Sequence, residues 1–355
     1  MAYDPSRRLL IYAEGSFGRG RSKTAEGVIR YGRNPIVGVV DSTRSEPDVA
    51  AVLGDGVGNG VPFFDSLEAA LPSRPQALLL GIAPPGGQLP AEWRDVIVRS
   101  LRAGLQLING LHMELARDPE MAEAARAGGT AIWDVREPVG EFPIGNGRVV
   151  ELPAQVVLAV GTDCAIGKMT VMLEVEKVAL ARGRKAKFLA TGQTGIMITG
   201  FGVPLDRVIG DFMAGAIEQL ICDHAADSDL LLVEGQGSLM HPGFSGVTLS
   251  LLHGTAPSHM VLCHDPSRSH VRDSSVRIPP LADVVRLHEQ MAGYLRPAKV
   301  VAVALNTSAM SESQARAAVE AARENTGLPA TDAVRFGAAP LFEAIDAAWV
   351  SRRAS

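Results

Sequence analysis

Three cysteines in 355 residues, Cys164, Cys222 and Cys263, are too few and too irregularly spaced for a disulfide framework or a CxxC pair. That argues against structural zinc and against a cross-linked secreted fold. Aromatic residues are scarce, at 5%, so any core has to be packed with Leu, Val, Ile and Ala. Apolar stretches such as Gln76–Ala83 and Gln155–Val160 fall far short of the ~18–20 residues that span a bilayer, and Met1–Arg8 runs into a short strand-like segment without a signal-peptide core. A cytoplasmic protein with no membrane contact is expected. A basic excess is also missing: 34 Lys+Arg stand against 39 Asp+Glu, a net charge of −5, which disfavours a general nucleic-acid or membrane-surface binder. What is present, 46% hydrophobic and 21% charged residues with 37 Gly and 22 Pro, is a globular composition. The length suits about two domains, and an enzyme for a small-molecule substrate, working as a homo-oligomer, is the expected class.

Strand-like and helix-like segments alternate through the first third: Leu9–Tyr12, Thr24–Tyr31, Ile36–Val40, Leu67–Leu71, Ala77–Gly81, Trp93–Ala103, Gln106–Asn109, Met113–Ala127 and Ala131–Asp134. Such alternation predicts a parallel α/β sheet. Residues 136–153, "REPVGEFPIGNGRVVELP", carry three prolines and three glycines and break both periodicities. The expected organisation is therefore a Rossmann-like domain over 1–137, a linker over 138–153 and a second α/β domain over 154–355. Alternation restarts with Val156–Val160, Thr170–Arg182, Lys187–Thr191, Asp211–His224, Leu230–Glu234, Met260–His264, Val284–Tyr294, Val300–Leu305 and Glu312–Asn325. Ser311 with Gln314 predicts a capping box, and Gly327 with Pro329 a helix stop.

The most informative passage is "VVLAVGTDCAIGKMTVMLEVEKVAL", residues 156–180, where a strand runs into a glycine-rich turn and a helix. Consecutive backbone N–H groups and a helix N-terminus suit a phosphate, which Lys168 can reach. The expected cofactor-binding residues are Gly161, Thr162, Asp163, Cys164, Ala165, Ile166, Gly167, Lys168, Met169 and Thr170. Met169 stands where a Walker A loop carries the hydroxyl that ligates Mg²⁺. Either Thr170 takes that part or the loop grips phosphate without metal-assisted cleavage. A second strand ends in "VEGQGS", where Glu234 could hold Mg²⁺ or take a proton, and Gln236 and Ser238 could bind substrate. Between the two lies "ATGQTG", with Gln193, Thr194 and Gly195 as pocket formers. The backbones of Gly192–Gly195 and Gly235–Gly237 are candidate oxyanion donors. Asp211 opens a helix as a cap or as an active-site carboxylate.

Five of the eight histidines crowd into residues 241–270 without a metal-binding spacing. His241 and His264 are the candidates for proton transfer or substrate contact. Near the N-terminus, "YAEGSFGRGRSKTAEGVIRYGR" repeats the strand–glycine loop–helix order, and Arg19, Arg21, Lys23 and Thr24 could receive a carboxylate or phosphate. Its glycines do not match GxGxxG, which ranks an NAD-dependent dehydrogenase low.

"GTDCAIGKMT" followed by "VEGQGS" resembles the dethiobiotin synthetase and cobyric-acid synthase branch of P-loop proteins. More closely, "GTDCAIGKMT", "ATGQTGIMITG", "VIGDFMAGAIE", "VEGQGSLMHPGFSGVTLSLLHG" and "CHDPSR" are similar to the domain-of-unknown-function 1611 family, and the N-terminal stretch looks like that family's Rossmann-like first domain. The resemblance implies a P-loop NTPase-like second domain. One branch of the family, D-glutamate N-acetyltransferase, transfers acetyl from acetyl-CoA to the amine of a D-amino acid. On that branch the loop would hold the CoA pyrophosphate, with Asp211, Glu234 and His241 as candidate bases. The dethiobiotin synthetase likeness implies instead ATP/Mg-dependent phosphotransfer or ligation, with Thr170 and Glu234 on the metal. A nucleotide-binding regulatory protein without turnover is the third expectation.

Overall fold

The structure, a computed structural model, describes residues 3–354 apart from residues 19, 21, 55 and 83–88, with side chains described to residue 351. It divides into two compact units, Met1–Val139 with Gln193–Arg207, and Gly140–Gly192 with Val208–Ser355.

In the first unit β1 (Leu9–Tyr12), β2 (Ile36–Val40), β3 (Phe63–Phe64), β4 (Ala77–Leu80), β5 (Gln106–Asn109) and β6 (Ile132–Asp134) form a parallel sheet ordered β3-β2-β1-β4-β5-β6. That is the Rossmann strand order, reversing direction between β1 and β4. Its helices are α1 (Lys23–Tyr31), α2 (Ala50–Leu53), α3 (Leu67–Ala70), α4 (Ala91–Arg102) and α5 (Pro119–Ala127). β1, β4 and β5 are buried along their whole length, which is why they read as continuous apolar runs with no alternation. α5 starts as its sequence dictates, because Asp118 accepts the N–H groups of Glu120 and Met121 and Pro119 occupies the first turn.

In the second unit β7 (Gln155–Gly161), β8 (Ala186–Leu189), β9 (Leu230–Val233), β10 (His259–His264), β11 (Lys299–Leu305) and β12 (Ala330–Thr331) form a parallel sheet ordered β12-β11-β10-β7-β9-β8. Helices continue as α6 (Lys168–Ala181), α7 (Gln193–Thr199), α8 (Gly210–His224), α9 (Ser245–Thr255), α10 (Leu281–Ala292), α11 (Glu312–Thr326) and α12 (Ala339–Ala354). The capping box of Ser311 and Gln314 is formed, and Gly327 ends α11 in the left-handed conformation. The 140–153 segment is anchored by Glu218, a buried acid on α8 that accepts the N–H groups of Asn146, Gly147 and Arg148 and pairs with the Arg148 guanidinium. α7 follows β8 in the chain yet counts with the first unit, where it packs on α1. No helix among the described residues is long and apolar enough to cross a membrane.

The glycine loop after β1 is closed from within. Asp41, wholly buried just beyond β2, accepts the N–H groups of Gly15, Ser16 and Phe17 at 3.0, 3.2 and 3.0 Å and both donors of Thr43, while Gly18 N–H donates to Ser22. Burial pushes the Asp41 carboxyl up, but the Thr43 hydroxyl and the N–H groups of Phe17, Thr43 and Gly15 outweigh it and hold the group below its ordinary value. A depressed carboxyl contributes stability above its unfolded value of 3.8 and loses it as pH falls through the folded one. Asp41→Asn should therefore cost about 1.5–3 kcal/mol in urea unfolding at pH 7, the range for hydrogen bonds to a charged group. The gap from wild type should close below about pH 3.8; a gap unchanged at pH 3 would contradict the role.

Candidate functional site

β7 ends in Gly161 and α6 begins at Lys168, so residues 162–167 turn the chain over the carboxyl end of the second sheet. Two left-handed residues, Ala165 at φ 52° and Gly167 at φ 100°, curl the turn so that successive N–H groups converge. Left-handed backbone costs an alanine roughly 1–2 kcal/mol, and such strain concentrates at ligand sites. The N–H groups of Ala165, Ile166, Gly167, Met169 and Thr170 donate to no protein acceptor among the described residues. Lys168 is buried, and its ammonium donates to the carbonyls of Asp163 at 2.7 Å and Gly237 at 2.8 Å. A cradle of N–H donors at a helix start, with a lysine folded against it, is chemically an anion site.

The loop is fixed from the side by Asp163. One carboxylate oxygen accepts Cys164 N–H at 2.7 Å; the other accepts the Arg268 guanidinium at 2.7 Å and Arg272 N–H at 2.9 Å. Arg268 also donates to the carbonyls of Cys164 and Ala165 and pairs with Asp265. Thr162 and His264, the last residue of β10, share a 2.9 Å hydrogen bond. Burial lowers the His264 pKa to about 4, with Asp265 raising it and Arg268 lowering it to lesser extents, so the ring is neutral at pH 7.

Beyond β9 the chain passes close under the loop. A Cβ on Gly235 would lie 1.7 Å from the Ala159 carbonyl oxygen and 2.9 Å from Lys168 Cδ, so only glycine fits there. Glu234 is buried, and one of its carboxylate oxygens accepts the N–H groups of Thr191 and Gly192 at 2.9 and 3.0 Å. Gly192 N–H thus already has an acceptor, which removes it from the candidate oxyanion donors. Gln236 donates to the Thr191 hydroxyl, and buried Ser238 accepts Met240 N–H. His241 is buried, takes Gly243 N–H on Nδ1 at 3.0 Å and lies 4.5 Å from the Phe244 ring.

Ligand atoms of Asp163, Cys164 and His241 come within 4.8 Å of one another. They suit a cation poorly, because the Asp163 carboxylate is occupied by Arg268 and two N–H groups and His241 Nδ1 by Gly243. The nearness of Cys164 and His241 had no signal in the sequence, where they lie far apart.

Other candidates fall elsewhere. Asp211 is exposed on the first turn of α8, its carboxylate has no hydrogen-bond partner among the described residues and it does not cap the helix. Gln193, Thr194 and Gly195 open α7 in the first unit, where the Thr194 hydroxyl meets that of Thr24 at 3.1 Å. Lys23 is exposed at the start of α1. Arg19 and Arg21 lie outside the described residues. The N–H groups of Gly15, Ser16, Phe17 and Gly18 in the same loop are held by Asp41 and Ser22.

Both halves of the chain match family models. Residues 143–342 match one described as Domain of unknown function (DUF1611_C) P-loop domain, and residues 42–138 one described as Domain of unknown function (DUF1611_N) Rossmann-like domain. The chain belongs to the DUF1611 family. A relative from Tritonibacter scottomollicae named D-glutamate N-acetyltransferase is 43% identical over 286 residues, 79% of this chain and 84% of that one. Another of the same name, from Pseudoalteromonas sp, is 36% identical over 264 residues, 74% of this chain and 79% of its own. The crystal structure of a DUF1611 protein from Anabaena variabilis superposes with a TM-score of 0.92 at 41% identity, covering 96% of this chain and 100% of that one. The two sheets are thus the Rossmann-like and P-loop halves of a DUF1611 protein.

Two measurements check this packing. Gly235→Ala should destabilise the protein by more than about 3 kcal/mol, since the added methyl meets backbone and overpacking already costs 1–3 where side chains can yield; a melting temperature equal to wild type would refute the close approach. The second concerns protons. Burial also lowers His288 to about 4, and His112 and His224 move in the same direction, again chiefly by burial. Folded DUF1611 protein therefore binds fewer protons than the unfolded chain between roughly pH 4 and 6.5, and stability should fall as pH drops through that range, with about two or more protons taken up on unfolding near pH 5. Equal stability at pH 7 and pH 5 would contradict it.

Proposed function

We propose that this protein is an acetyl-CoA-dependent N-acetyltransferase for the amine of a small amino acid, D-glutamate foremost, and that the 161–170 loop holds the CoA pyrophosphate. The observation that carries the reading is the set of N–H groups on Ala165, Ile166, Gly167, Met169 and Thr170 that have no protein acceptor among the described residues, with the Lys168 ammonium beside them. It suits an anionic diphosphate. The names of the two relatives supply the acetyl transfer and the D-glutamate.

Acyl transfer to an amine needs a base for the departing proton and donors for the oxyanion. Glu234 and His241 are the buried candidates flanking the 235–240 turn, and Gln236 offers a side-chain amide there. The ATP/Mg reading is less well served by these residues. Met169 replaces the metal-binding hydroxyl, Thr170 sits one place further along α6, and one Glu234 oxygen is bound to two backbone N–H groups. No phosphoryl bond is cut in acyl transfer, so that donor set is not required of it.

Titration calorimetry with CoA and with ATP, each with and without Mg²⁺, should give metal-independent CoA binding. Thiol release from acetyl-CoA over a panel of D- and L-amino acids should be greatest with D-glutamate. Metal-dependent ATP binding without CoA binding would overturn the reading. Lys168→Ala should weaken CoA by about 1.5–3 kcal/mol, roughly ten- to more than hundredfold, the range for a hydrogen bond to a charged group. The same variant with wild-type CoA affinity would show that the loop is not the coenzyme's anchor.

A further inference from the structure

Beside the phosphate loop, within the second unit, lies a cavity of about 430 Å³ lined by residues between His264 and Asn325. Its polar rim is joined directly to the loop: His264 is hydrogen-bonded to Thr162, and Arg268 to Asp163 and to the carbonyls of Cys164 and Ala165. One side is the rigid Pro279–Pro280 step and Leu281 at the start of α10; the adjoining side, tied to it where Ala282 N–H donates to Asn325, is a face of α11. That face shows Ala318, Ala321, Ala322 and Asn325, spaced so that they lie along one side of the helix, and three of the four carry no more than a methyl group. Bulk is absent where the helix turns toward the cavity, which leaves a flat apolar trough.

Charge decides what such a trough can take. Arg268 is already committed to Asp163, Asp265 and two carbonyls, and His264 is neutral at pH 7, so the rim has no spare cation for a second anion. The Asn325 side-chain oxygen is occupied by Ala282 N–H. A flexible arm bearing two amides, as pantetheine does, would find few partners here, and buried amides without partners are costly. A flat, uncharged ring asks chiefly for apolar surface above and below it.

We infer that this cavity is the nucleoside pocket: it seats the adenine ring of an adenine nucleotide between Pro279–Leu281 and the alanine face of α11 while the diphosphate rests on the loop. The inference relies on the loop binding a diphosphate, and it concerns only the adenine base, which CoA and ATP share. It adds the residues that would make the protein prefer an adenine nucleotide over bare pyrophosphate.

Calorimetry on the full chain tests it with inorganic pyrophosphate, ADP, UDP and pantetheine as probes. Wild type should bind ADP about tenfold or more tighter than pyrophosphate, as expected for removing one base's apolar surface from water, and tighter than UDP, whose single ring offers less of that surface than the fused rings of adenine. Ala321 is exposed at the rim, so Ala321→Trp fills the trough without entering the core. That variant should lose the ADP advantage while binding pyrophosphate within about twofold of wild type, by the same accounting of apolar surface. Ala318→Phe, on the neighbouring turn, should do the same and guards against a local effect of the tryptophan. An ADP advantage retained in both variants would overturn the pocket assignment and leave the loop reading intact. Pantetheine binding that both variants abolish would assign the cavity to the other arm of CoA and equally overturn it. Failure of wild type to bind either pyrophosphate or ADP would instead remove the loop reading on which the pocket rests.

Discussion

One buried carboxylate sets the shape of the phosphate loop. Asp163 is fully enclosed, and a lone charge there would be prohibitive; its partners are Arg268, Arg272 N–H and its own neighbour's N–H. Because Arg268 also donates to the carbonyls of Cys164 and Ala165, a single guanidinium neutralises the acid and fixes the two residues at which the run of converging N–H groups begins. The strained conformation of Ala165 persists because its surroundings hold it on both sides. A loop held in this way would cost an arriving ligand little ordering entropy. Through Asp265 and His264 the same cluster reaches the end of β10 and the rim of the neighbouring cavity.

The chain uses the strand–glycine loop–helix order twice, with opposite outcomes. After β1 the acid comes from the next strand, and Asp41 turns inward to collect Gly15, Ser16 and Phe17 N–H. An acid near that place in a Rossmann fold serves a dinucleotide's ribose, but here it occupies the donors a pyrophosphate would need. After β7 the acid lies within the loop and faces away, toward Arg268, so the N–H groups that follow point outward from an already satisfied carboxylate. Which way one aspartate points separates a self-sealed turn from one whose following N–H groups have no protein acceptor among the described residues, and nothing in residue spacing records that direction.

The alternation of strands and helices, both parallel sheets and the phosphate loop were legible because burial on both faces writes continuous apolar runs, and because a glycine-rich turn before a helix has few other uses. Two-residue strands such as Phe63–Phe64 and Ala330–Thr331 are too short to carry a period. α7 and α9 contain glycine and β-branched residues at interior positions, which reads as loop until packing overrides propensity. Asp211 had the type and place of a cap, yet the helix starts one residue earlier, so its side chain falls on the exposed first turn. Glu218 sat unnoticed in an apolar helix face; its burial is explained by three N–H groups from a linker some seventy residues away in sequence.

The departure from a Walker A loop bears on chemistry more than on binding. Diphosphate recognition needs converging N–H groups and a cation, and Ala165–Thr170 with Lys168 provide both. Phosphoryl transfer needs, in addition, a metal held by a hydroxyl and a carboxylate. At those two places stand a methionine and a glutamate that braces the turn at Thr191–Gly192. A loop that keeps the first set and lacks the hydroxyl of the second fits the proposed reading, in which the ligand stays intact at the phosphates. A coenzyme that reacts at its thioester end, as proposed above, would be such a ligand, and its base would find apolar surface in the cavity beside the loop.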